Sequence, residues 1–472
     1  MREYMKLPGL MIALSISTMV IADPDPSALQ YFQQKSIAPK LQEAYKAIAS
    51  KNYEQALEIY KPLAQQGDKI AQFQLAYLYQ NGFGIPDKDE QMAVAWNIKS
   101  SQQAFPPAQY ELGLMYFHGM TVPKSLDQAL SLFQQAAVAN YSLAQYMLGI
   151  IYSDGLGIQQ DWAQAVSWYS KAAAQGVLPA EYNLGLIYYN GSGVPVDTTK
   201  AISLFTTAAT DGLAKAQILL GSIYASGLKG IPVDKAQGFK WYTLAAKQDL
   251  VLAQYNLGIM YYNGWGTPAN LKMAMTWVTK AAMQNFPRAQ YFLGYLTQNG
   301  VGAPKNPQQA LDWYTKAAEE GLADAQFAVA FMYHNGDGVP KDEGKAFAWY
   351  SAAAKQGLAK AQYMTGWMYQ NGLGVISDLP AAASSYEKAA EQGMDNAQLL
   401  LGSMYIQGKG VPKDEKLAYA WLDLASTSSN TQVRNSSIKL RDSLAQHMKP
   451  QDVAAAKQLA QSYYAKYTTK AP

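Results

Sequence analysis

The side chains best suited to metal binding are few in this chain of 472 residues. It has no cysteine, and its only histidines are His118, His334 and His447. A zinc site of the His-Glu-x-x-His type requires a second ligand at short helical spacing, and none of the three histidines has one. Without cysteine there is no disulfide and no thiol chemistry. The sequence therefore predicts no metal site and no cofactor.

Two segments match the Ser-x-x-Lys motif of penicillin-binding enzymes, in which a serine nucleophile precedes a lysine by one helical turn. They are residues 385–388 and 436–439. Neither has a Lys-Thr-Gly partner, and the first follows the ordinary register of a helix. We interpret both as chance matches. The sequence predicts no catalytic residue and no enzyme.

Pairs of glycines two or three residues apart occur nine times, as in Gly191/Gly193 and Gly264/Gly266. Such a pair could begin a phosphate-binding loop, but no copy completes Gly-x-Gly-x-x-Gly and none leads into Gly-Lys-Ser/Thr. Nine near-copies indicate instead that the glycines are needed for the backbone geometry of a turn. Glycine readily adopts the positive φ that ends a helix and reverses the chain.

The glycine pairs belong to a longer phrase that recurs every 36 or 37 residues. It starts with alanine and then glutamine or glutamate, and a Leu-Gly-like pair follows four residues after the alanine. The ten copies begin at Ala71, Ala108, Ala144, Ala180, Ala216, Ala253, Ala289, Ala325, Ala361 and Ala397. This period is typical of solenoids, in which each repeat buries its apolar face against its neighbours.

Each repeat contains two helical patterns, helix A before the glycine turn and helix B after it. In helix A the leucine of the Leu-Gly pair is numbered zero, and a tyrosine at +4 shares its face. Glycine inside a helix costs about 1 kcal/mol relative to alanine. Its recurrence at +1, as in Gly113 and Gly258, therefore predicts a close contact between helices.

Helix B begins with a short polar side chain that can accept bonds from free backbone N–H groups. These caps are Asp89, Ser125, Asp161, Asp197, Asp234, Asn270, Asn306, Asp342, Asp378 and Asp414. An aromatic pair and Ala-Ala follow and form one apolar stripe. The tryptophans of this register are expected in the core; they are Trp96, Trp168, Trp241, Trp277, Trp313, Trp349 and Trp421.

This phrase resembles the Sel1-like repeat family, a relative of the tetratricopeptide repeat, over residues 41 to about 426. The resemblance implies a right-handed superhelix that works as a scaffold or adaptor, often in bacterial envelopes and host interaction. Some members carry a disulfide in each repeat and have been linked to β-lactam binding, a branch from which this cysteine-free chain departs. The predicted fold is all-α, a right-handed α-solenoid of about ten 36-residue helix-turn-helix repeats with helical end caps.

Four regions are predicted: a signal peptide (1–22), an N-terminal region with a tetratricopeptide-like unit (23–67), the repeat solenoid (68–426) and a C-terminal helical cap (427–472). Arg2 and Lys6 precede an apolar stretch that ends in small residues, which predicts cleavage after Ala22. An uncleaved anchor is the alternative, although the apolar run is short and contains Pro8. No later stretch could span a bilayer, so we expect a periplasmic or secreted protein.

The charges are balanced, with 38 basic and 35 acidic residues, a formal net charge of +3 and no basic block. This predicts no nucleic-acid partner. We predict a non-catalytic scaffold that binds protein partners in the envelope or the host. The main alternative is a peptidoglycan- or polysaccharide-associated module whose aromatic side chains stack on sugars. A further alternative is an envelope hydrolase, which the absence of a catalytic constellation disfavours.

The residue at +5 of helix A, next to the recurrent tyrosine, varies from repeat to repeat and includes Phe117, Tyr189, Tyr262 and His334. Variation at a fixed register indicates surface, although packing against the next repeat is the other interpretation. We expect this position on the concave face, where Tyr189 and Tyr262 help to hold one partner segment. The full set of candidate partner-binding residues is Phe117, His118, Tyr189, Tyr262, Trp265, His334 and Trp367.

Overall fold

The computed structural model describes residues 39–468. These residues form 24 α-helices joined by turns, with no strand among them, so the predicted all-α fold is confirmed. The predicted signal peptide and its cleavage site lie outside the described residues, as do residues 469–472.

The helices are numbered α1 to α24 in chain order, and helices A and B of the repeats alternate from α3 to α22. Before the repeats come α1 (Pro39–Ala49) and α2 (Tyr53–Gln65). The A helices are α3 (Lys69–Asn81), α5 (Pro106–His118), α7 (Ser142–Asp154), α9 (Leu178–Asn190), α11 (Ala214–Ser226), α13 (Val251–Asn263), α15 (Pro287–Asn299), α17 (Ala323–Asn335), α19 (Ala359–Asn371) and α21 (Asp395–Gln407). The B helices are α4 (Glu90–Gln102), α6 (Leu126–Val138), α8 (Trp162–Ala173), α10 (Thr198–Thr210), α12 (Lys235–Ala246), α14 (Leu271–Met283), α16 (Pro307–Glu319), α18 (Glu343–Lys355), α20 (Leu379–Glu391) and α22 (Glu415–Ala425). The chain continues with α23 (Thr431–His447), α24 (Pro450–Tyr463) and a short π-helix (Tyr464–Thr468).

The described helices divide into two compact units, with the boundary between Ala245 and Ala246. Within each unit, a helix packs mainly on the helices before and after it in the chain. The buried apolar side chains form successive clusters along the stack instead of one central core. This is the packing of an α-solenoid, as the repeat period predicted.

The N-terminal caps of the B helices are confirmed at all ten predicted positions. Asp161 Oδ1, for example, accepts the backbone N–H of Gln164 at 3.0 Å. Asp234 accepts two backbone N–H groups, each at 3.0 Å. Each cap satisfies donors that a helix N-terminus leaves without an intrahelical partner.

The close helix contact at +1 of helix A is also confirmed. A Cβ atom added to Gly113 would lie 2.7 Å from the ring of Phe133, and one added to Gly258 would lie 2.6 Å from Val278 Cγ2. Phe133 and Val278 belong to the B helix of the same repeat and are fully buried. Glycine at +1 therefore lets the second residue of the helix B pair pack directly on the backbone of helix A.

The two glycines of a turn have different roles. Gly191 ends α9 with φ 75°, and its N–H bonds to the carbonyl of Ile187. Gly193 also has a positive φ, 68°, and a Cβ atom there would collide with Trp162, the first residue of the preceding B helix. The second glycine thus makes room for the previous repeat, a role that the turn pattern alone did not reveal.

The first member of the helix B pair is less buried than expected. Only Trp96, Trp241 and Trp421 are buried, so the core prediction is wrong for Trp168, Trp277, Trp313 and Trp349, which are half-buried. In three of these four repeats the Nζ of a lysine lies over the indole ring, at 4.0 to 4.5 Å from its centroid. The ring rests on the stack with one face and meets the lysine with the other.

A pair of glutamines joins helices A and B in several repeats; we call it the glutamine pair. Its first member follows the alanine that opens the phrase, and its second ends helix B. In the eighth repeat, Gln326 Nε2 donates to the carbonyl of Ala318 at 3.2 Å. Gln356 Nε2 donates to Gln326 Oε1 and to the carbonyl of Gly321, each at 2.9 Å. The pair satisfies buried polar groups where three helices meet.

Candidate binding site on the A helices

In most repeats the +5 residue of helix A lies next to the second residue of the helix B pair, which stands 16 positions later in the chain. Where helix B has a tyrosine, the +5 residue can hydrogen-bond to its buried hydroxyl. The Tyr314 hydroxyl donates to Gln298 Oε1 at 3.0 Å, and the Tyr386 hydroxyl donates to Gln370 Oε1 at 2.8 Å. The +5 position therefore belongs partly to the packing of its own repeat.

In three repeats whose helix B lacks this tyrosine, the +5 residue is aromatic. Phe117 packs on Phe133, with ring centroids 6.4 Å apart, and Tyr189 packs edgewise on Phe205 at 6.0 Å. Phe117 and Tyr189 are each only 8% exposed. Burial also raises the pKa of the Tyr189 hydroxyl above its usual value. The expectation of a surface position is wrong for these two residues, because their rings fill the space beside a buried phenylalanine.

Tyr262 is half-buried in the second unit. Its ring meets Phe292 of the next A helix edgewise at 5.4 Å. Burial and a hydrogen bond with Tyr295 raise the pKa of its hydroxyl. Tyr189 belongs to the first compact unit and Tyr262 to the second.

His334 does not contact the second residue of its helix B pair in either of these ways. The residue 16 positions later is Tyr350, whose side chain is fully buried and whose hydroxyl has no hydrogen-bond partner in the structure. His334 instead places Nδ1 2.7 Å from Glu343 Oε2, while its ring meets the edge of Trp367 with centroids 5.5 Å apart. With histidine at +5, the Tyr350 hydroxyl therefore has no hydrogen-bond partner, and the histidine side chain belongs to a half-exposed cluster instead.

We call His334, Lys341, Glu343 and Trp367, together with Phe331, the His334 cluster. Lys341 Nζ lies 2.9 Å from Glu343 Oε1. Partial burial would raise the pKa of the Glu343 carboxyl, but hydrogen bonds from Lys341 and His334 outweigh it and hold that pKa below its usual value. The carboxylate is thus ionised and held between two nitrogen donors.

The outer part of the His334 cluster is apolar. Phe331 lies one helical turn before His334 on α17 and is 46% exposed, although it is a large hydrophobic residue. Trp367 is half-buried on the following A helix, at +2. Exposed aromatic rings beside a fixed charge are typical of protein-binding surfaces.

Histidine and a carboxylate also occur in hydrolytic triads, which need a nucleophilic hydroxyl or thiol on the histidine. Among the described residues, the hydrogen bond of the His334 ring goes to Glu343, and none goes to a serine or threonine hydroxyl. The arrangement holds the His334 imidazole in one orientation and keeps the Glu343 carboxylate in place.

The remaining candidates are separate from this cluster. His118 is exposed at the end of α5, and its ring lies edgewise on Phe117, 5.0 Å between centroids. Trp265 is half-buried in the turn after α13. Of the seven candidates, the structure brings together His334 with Trp367 and Phe117 with His118.

A pocket in the first unit was missed by the sequence analysis. It is lined by Trp162 of α8, Ser153, and the polar side chains of Asn183, Asn190 and Ser192. The hydroxyl of Tyr169 at its base is already bonded to Ser153 and Asn183, each at 3.2 Å. Trp162 does not follow the recurrent tryptophan register, and that irregularity was the signal available in the sequence.

Residues 39–468 contain neither of two further kinds of site. No cluster of three or more histidine, aspartate or glutamate side chains there could hold a metal ion. No helix in this part of the chain combines the length and the apolar character needed to cross a membrane.

The fold and the half-exposed A-helix residues define a helical-repeat protein of the α-solenoid class. More specifically, the chain belongs to the Sel1 repeat family, whose model matches eleven consecutive segments. These are residues 47–68, 69–105, 106–141, 142–177, 178–213, 214–250, 251–286, 287–322, 323–358, 359–394 and 395–430. Proteins with these repeats generally mediate protein–protein interactions and are typically non-catalytic.

Two solved structures are similar to this chain. One is c5321, a protective antigen of uropathogenic Escherichia coli strains, with 32% identity, a TM-score of 0.62, and coverage of 88% of this chain and 95% of that one. The other is a Sel1 repeat protein from Oxalobacter formigenes, with 33% identity, a TM-score of 0.57, and coverage of 66% and 90%. No curated protein matched the chain.

Proposed function

We propose that this protein is a non-catalytic scaffold, exported to the periplasm or secreted, that binds protein partners through the A helices of its second unit. The observation that carries the proposal is the His334 cluster. There the Tyr350 hydroxyl lacks an internal hydrogen bond, and an imidazole, a half-buried tryptophan and an exposed phenylalanine lie together on neighbouring A helices. Packing within the repeat does not require this arrangement.

The chemistry of the cluster suits a peptide segment with an apolar anchor. Phe331 and Trp367 offer ring surface at low entropic cost, and aromatic residues of this kind dominate the energy of many interfaces. Glu343 and Lys341 form an ion pair beside that anchor, so the polar edge of the surface carries both charges and can hydrogen-bond to a partner. A partner segment with a bulky apolar side chain flanked by polar residues fits this surface best.

Crosslinking and pull-down from envelope extract tests the proposal, with affinity then measured for each partner found. Trp367→Ala should weaken binding by about 2 kcal/mol or more. Trp313→Ala is the matched control, because it removes a half-buried tryptophan of the ordinary helix B register in the same unit. Equal loss in both variants, or none in Trp367→Ala, would contradict a binding role for the cluster.

His334→Gln separates binding from folding. Glutamine is the +5 residue of the seventh and ninth repeats, where it accepts a bond from the helix B tyrosine. We expect His334→Gln to satisfy the Tyr350 hydroxyl and make the chain more stable, while partner binding decreases. A variant that is less stable and binds normally would show that His334 is a packing residue.

Export is supported by residues 1–22, whose basic start, apolar stretch and small final residues have the pattern of a cleaved signal peptide. The E. coli relative is a protective antigen, which supports a location where antibodies can reach the protein. N-terminal sequencing of protein from the envelope fraction should give Asp23 as the first residue. Met1 retained in washed membranes would indicate an anchored protein.

A second candidate function is binding to cell-wall glycan, which the pocket at Trp162 favours. The pocket combines an indole ring with two asparagine amides and serine hydroxyls, groups that can stack on and hydrogen-bond to a sugar. Sedimentation with purified peptidoglycan distinguishes this function from protein binding. If wild type sediments and Trp162→Ala does not, the first unit binds glycan. An envelope hydrolase is the least supported alternative, because the histidine of the cluster has no nucleophile.

A further inference from the structure

Two carboxylates replace the glutamine pair of the fourth repeat. Glu181 stands at the first position of the pair, at the start of α9, and Asp211 stands at the second, at the end of α10. In the eighth repeat, amide groups at these positions donate three hydrogen bonds to oxygen atoms. An ionised carboxylate cannot donate, so these three hydrogen bonds cannot form in the fourth repeat when both groups are charged.

The carboxylate of Glu181 is buried and incompletely partnered. The residue is only 7% exposed, and its Oε2 atom has no hydrogen-bond partner in the structure. Neither Glu181 nor Asp211 forms a salt bridge within residues 39–468. Burial and the charge of Asp211 raise the pKa of the Glu181 carboxyl. An isolated buried charge of this kind is costly unless something positive compensates it.

Backbone carbonyls supply further oxygen atoms at this point. In the eighth repeat the glutamine pair donates to the carbonyls of Ala318 and Gly321. The equivalent residues of the fourth repeat are Ala173 and Gly176, and Gly176 ends its helix with the same left-handed conformation as Gly321. By this equivalence, we expect two carboxylates and two carbonyls to converge where the eighth repeat has two amide groups.

We propose that Glu181, Asp211 and the carbonyl oxygens of Ala173 and Gly176 bind a calcium ion. Calcium accepts six to eight oxygen ligands from carboxylates, backbone carbonyls and water at about 2.3–2.6 Å. Oxygens on opposite sides of the ion therefore lie roughly 5 Å apart, farther than in a hydrogen bond. Aspartate is shorter than glutamine by one methylene, about 1.5 Å, which provides that space.

The exposure of Asp211 sets how the coordination shell is completed. Asp211 lies on the surface while Glu181 is buried, so the site is open to water on one side. Water can supply the ligands that the protein does not. Magnesium requires near-ideal octahedral geometry at about 2.0–2.1 Å and gives up its water reluctantly, whereas calcium accepts irregular sets of carboxylate, carbonyl and water oxygens. Calcium is therefore the preferred ion.

Titration calorimetry of the full chain with CaCl₂ tests the site. We expect one calcium ion per chain, a melting temperature raised by about 1–2 °C at saturation, and a weaker response to MgCl₂. Glu181→Gln combined with Asp211→Gln restores the glutamine pair and should abolish both effects. Glu320→Gln is the matched control, since Gln290 and Glu320 occupy the two positions of the pair in the seventh repeat, which has only one carboxylate there. It should bind calcium as wild type does.

Three results would overturn the proposal. The first is absence of both calcium-dependent heat and a shift in melting temperature. The second is unchanged binding in the double variant, or in Asp211→Asn if the double variant does not fold by circular dichroism; the ion would then bind elsewhere. The third is that acid stabilises wild type, calcium does not, and Glu181→Gln removes the effect of acid. A proton, and not calcium, would then occupy the site.

Discussion

The contact between helices A and B in the sixth repeat can be tested by adding a single methyl group at Gly258. A Cβ atom there would lie 2.6 Å from Val278 Cγ2 and 3.2 Å from the carbonyl oxygen of Ala274. Carbon atoms pack best at about 3.5–4.0 Å, so α13 and α14 must separate by roughly 1 Å. Val278 is fully buried, and rotating its side chain would displace other core residues.

The expected loss follows from two opposing contributions. Overpacking a close contact costs about 1–3 kcal/mol. Replacing glycine by alanine inside a helix recovers about 1 kcal/mol. Gly258→Ala should therefore lower the free energy of unfolding by about 1 kcal/mol. Gly258→Leu places three further carbons in the same contact and should lower it by about 3 kcal/mol or more.

Gly344→Ala is the control for helix propensity without a contact. Gly344 lies in the first turn of α18, its φ is not positive, and the nearest atom to an added Cβ is Asp342 Oδ1 at 3.4 Å. This variant should be stabilised by about 0.5–1 kcal/mol. Urea unfolding followed by circular dichroism measures all three variants. The close-contact argument fails if Gly258→Leu unfolds at the same urea concentration as wild type.

Three further outcomes can be measured by the same method. Asp234→Ala removes the acceptor of two backbone N–H bonds and should cost about 0.5–2 kcal/mol; an unchanged midpoint would show that water replaces the cap. Tyr350→Phe removes a buried hydroxyl without a partner and should be neutral or stabilising, whereas Tyr314→Phe breaks a bond to Gln298 and should cost about 1 kcal/mol; equal effects would contradict the pairing. Glu181 has a raised pKa in the folded state, so the native chain binds that proton more tightly and wild type loses stability as pH rises through this pKa. In EDTA, the free energy of unfolding of Glu181→Gln relative to wild type should therefore increase from pH 4.5 to pH 7.5. A difference that stays constant over this range would contradict the raised pKa of Glu181.

The backbone of the repeats was predictable because its requirements fall on few residue types. A helix N-terminus needs a short polar acceptor, which identified Asp161 and Asn306. A left-handed stop after helix A favours glycine, which identified Gly191 and Gly264. The same reasoning missed Ala104 and Thr121, which have φ of 53° and 62° although their side chains disfavour it. There the surrounding repeat imposes the conformation.

Side-chain exposure was less predictable, because recurrence and burial are different properties. Trp313 recurs in the register of helix B and is still half-buried, while Phe117 varies in the register of helix A and is buried. Variation at +5 is matched by variation 16 residues later: phenylalanine faces phenylalanine at Phe117 and Phe133, and an amide faces a hydroxyl at Gln298 and Tyr314. Comparing the two positions within the sequence would have identified the packed ones.

The same comparison identifies where packing does not explain the residue. A buried hydroxyl without a partner costs about 1–3 kcal/mol, and a glutamine at position 334 would avoid that cost, as Gln298 and Gln370 do for their tyrosines. The chain has His334 instead, and the imidazole is held by Glu343 beside Trp367. We infer that a residue that leaves a buried hydroxyl without a partner while completing a half-exposed aromatic cluster has its role outside that repeat. This is why the His334 cluster, and not the buried Tyr189, is the part of the A helices where a partner is expected to bind.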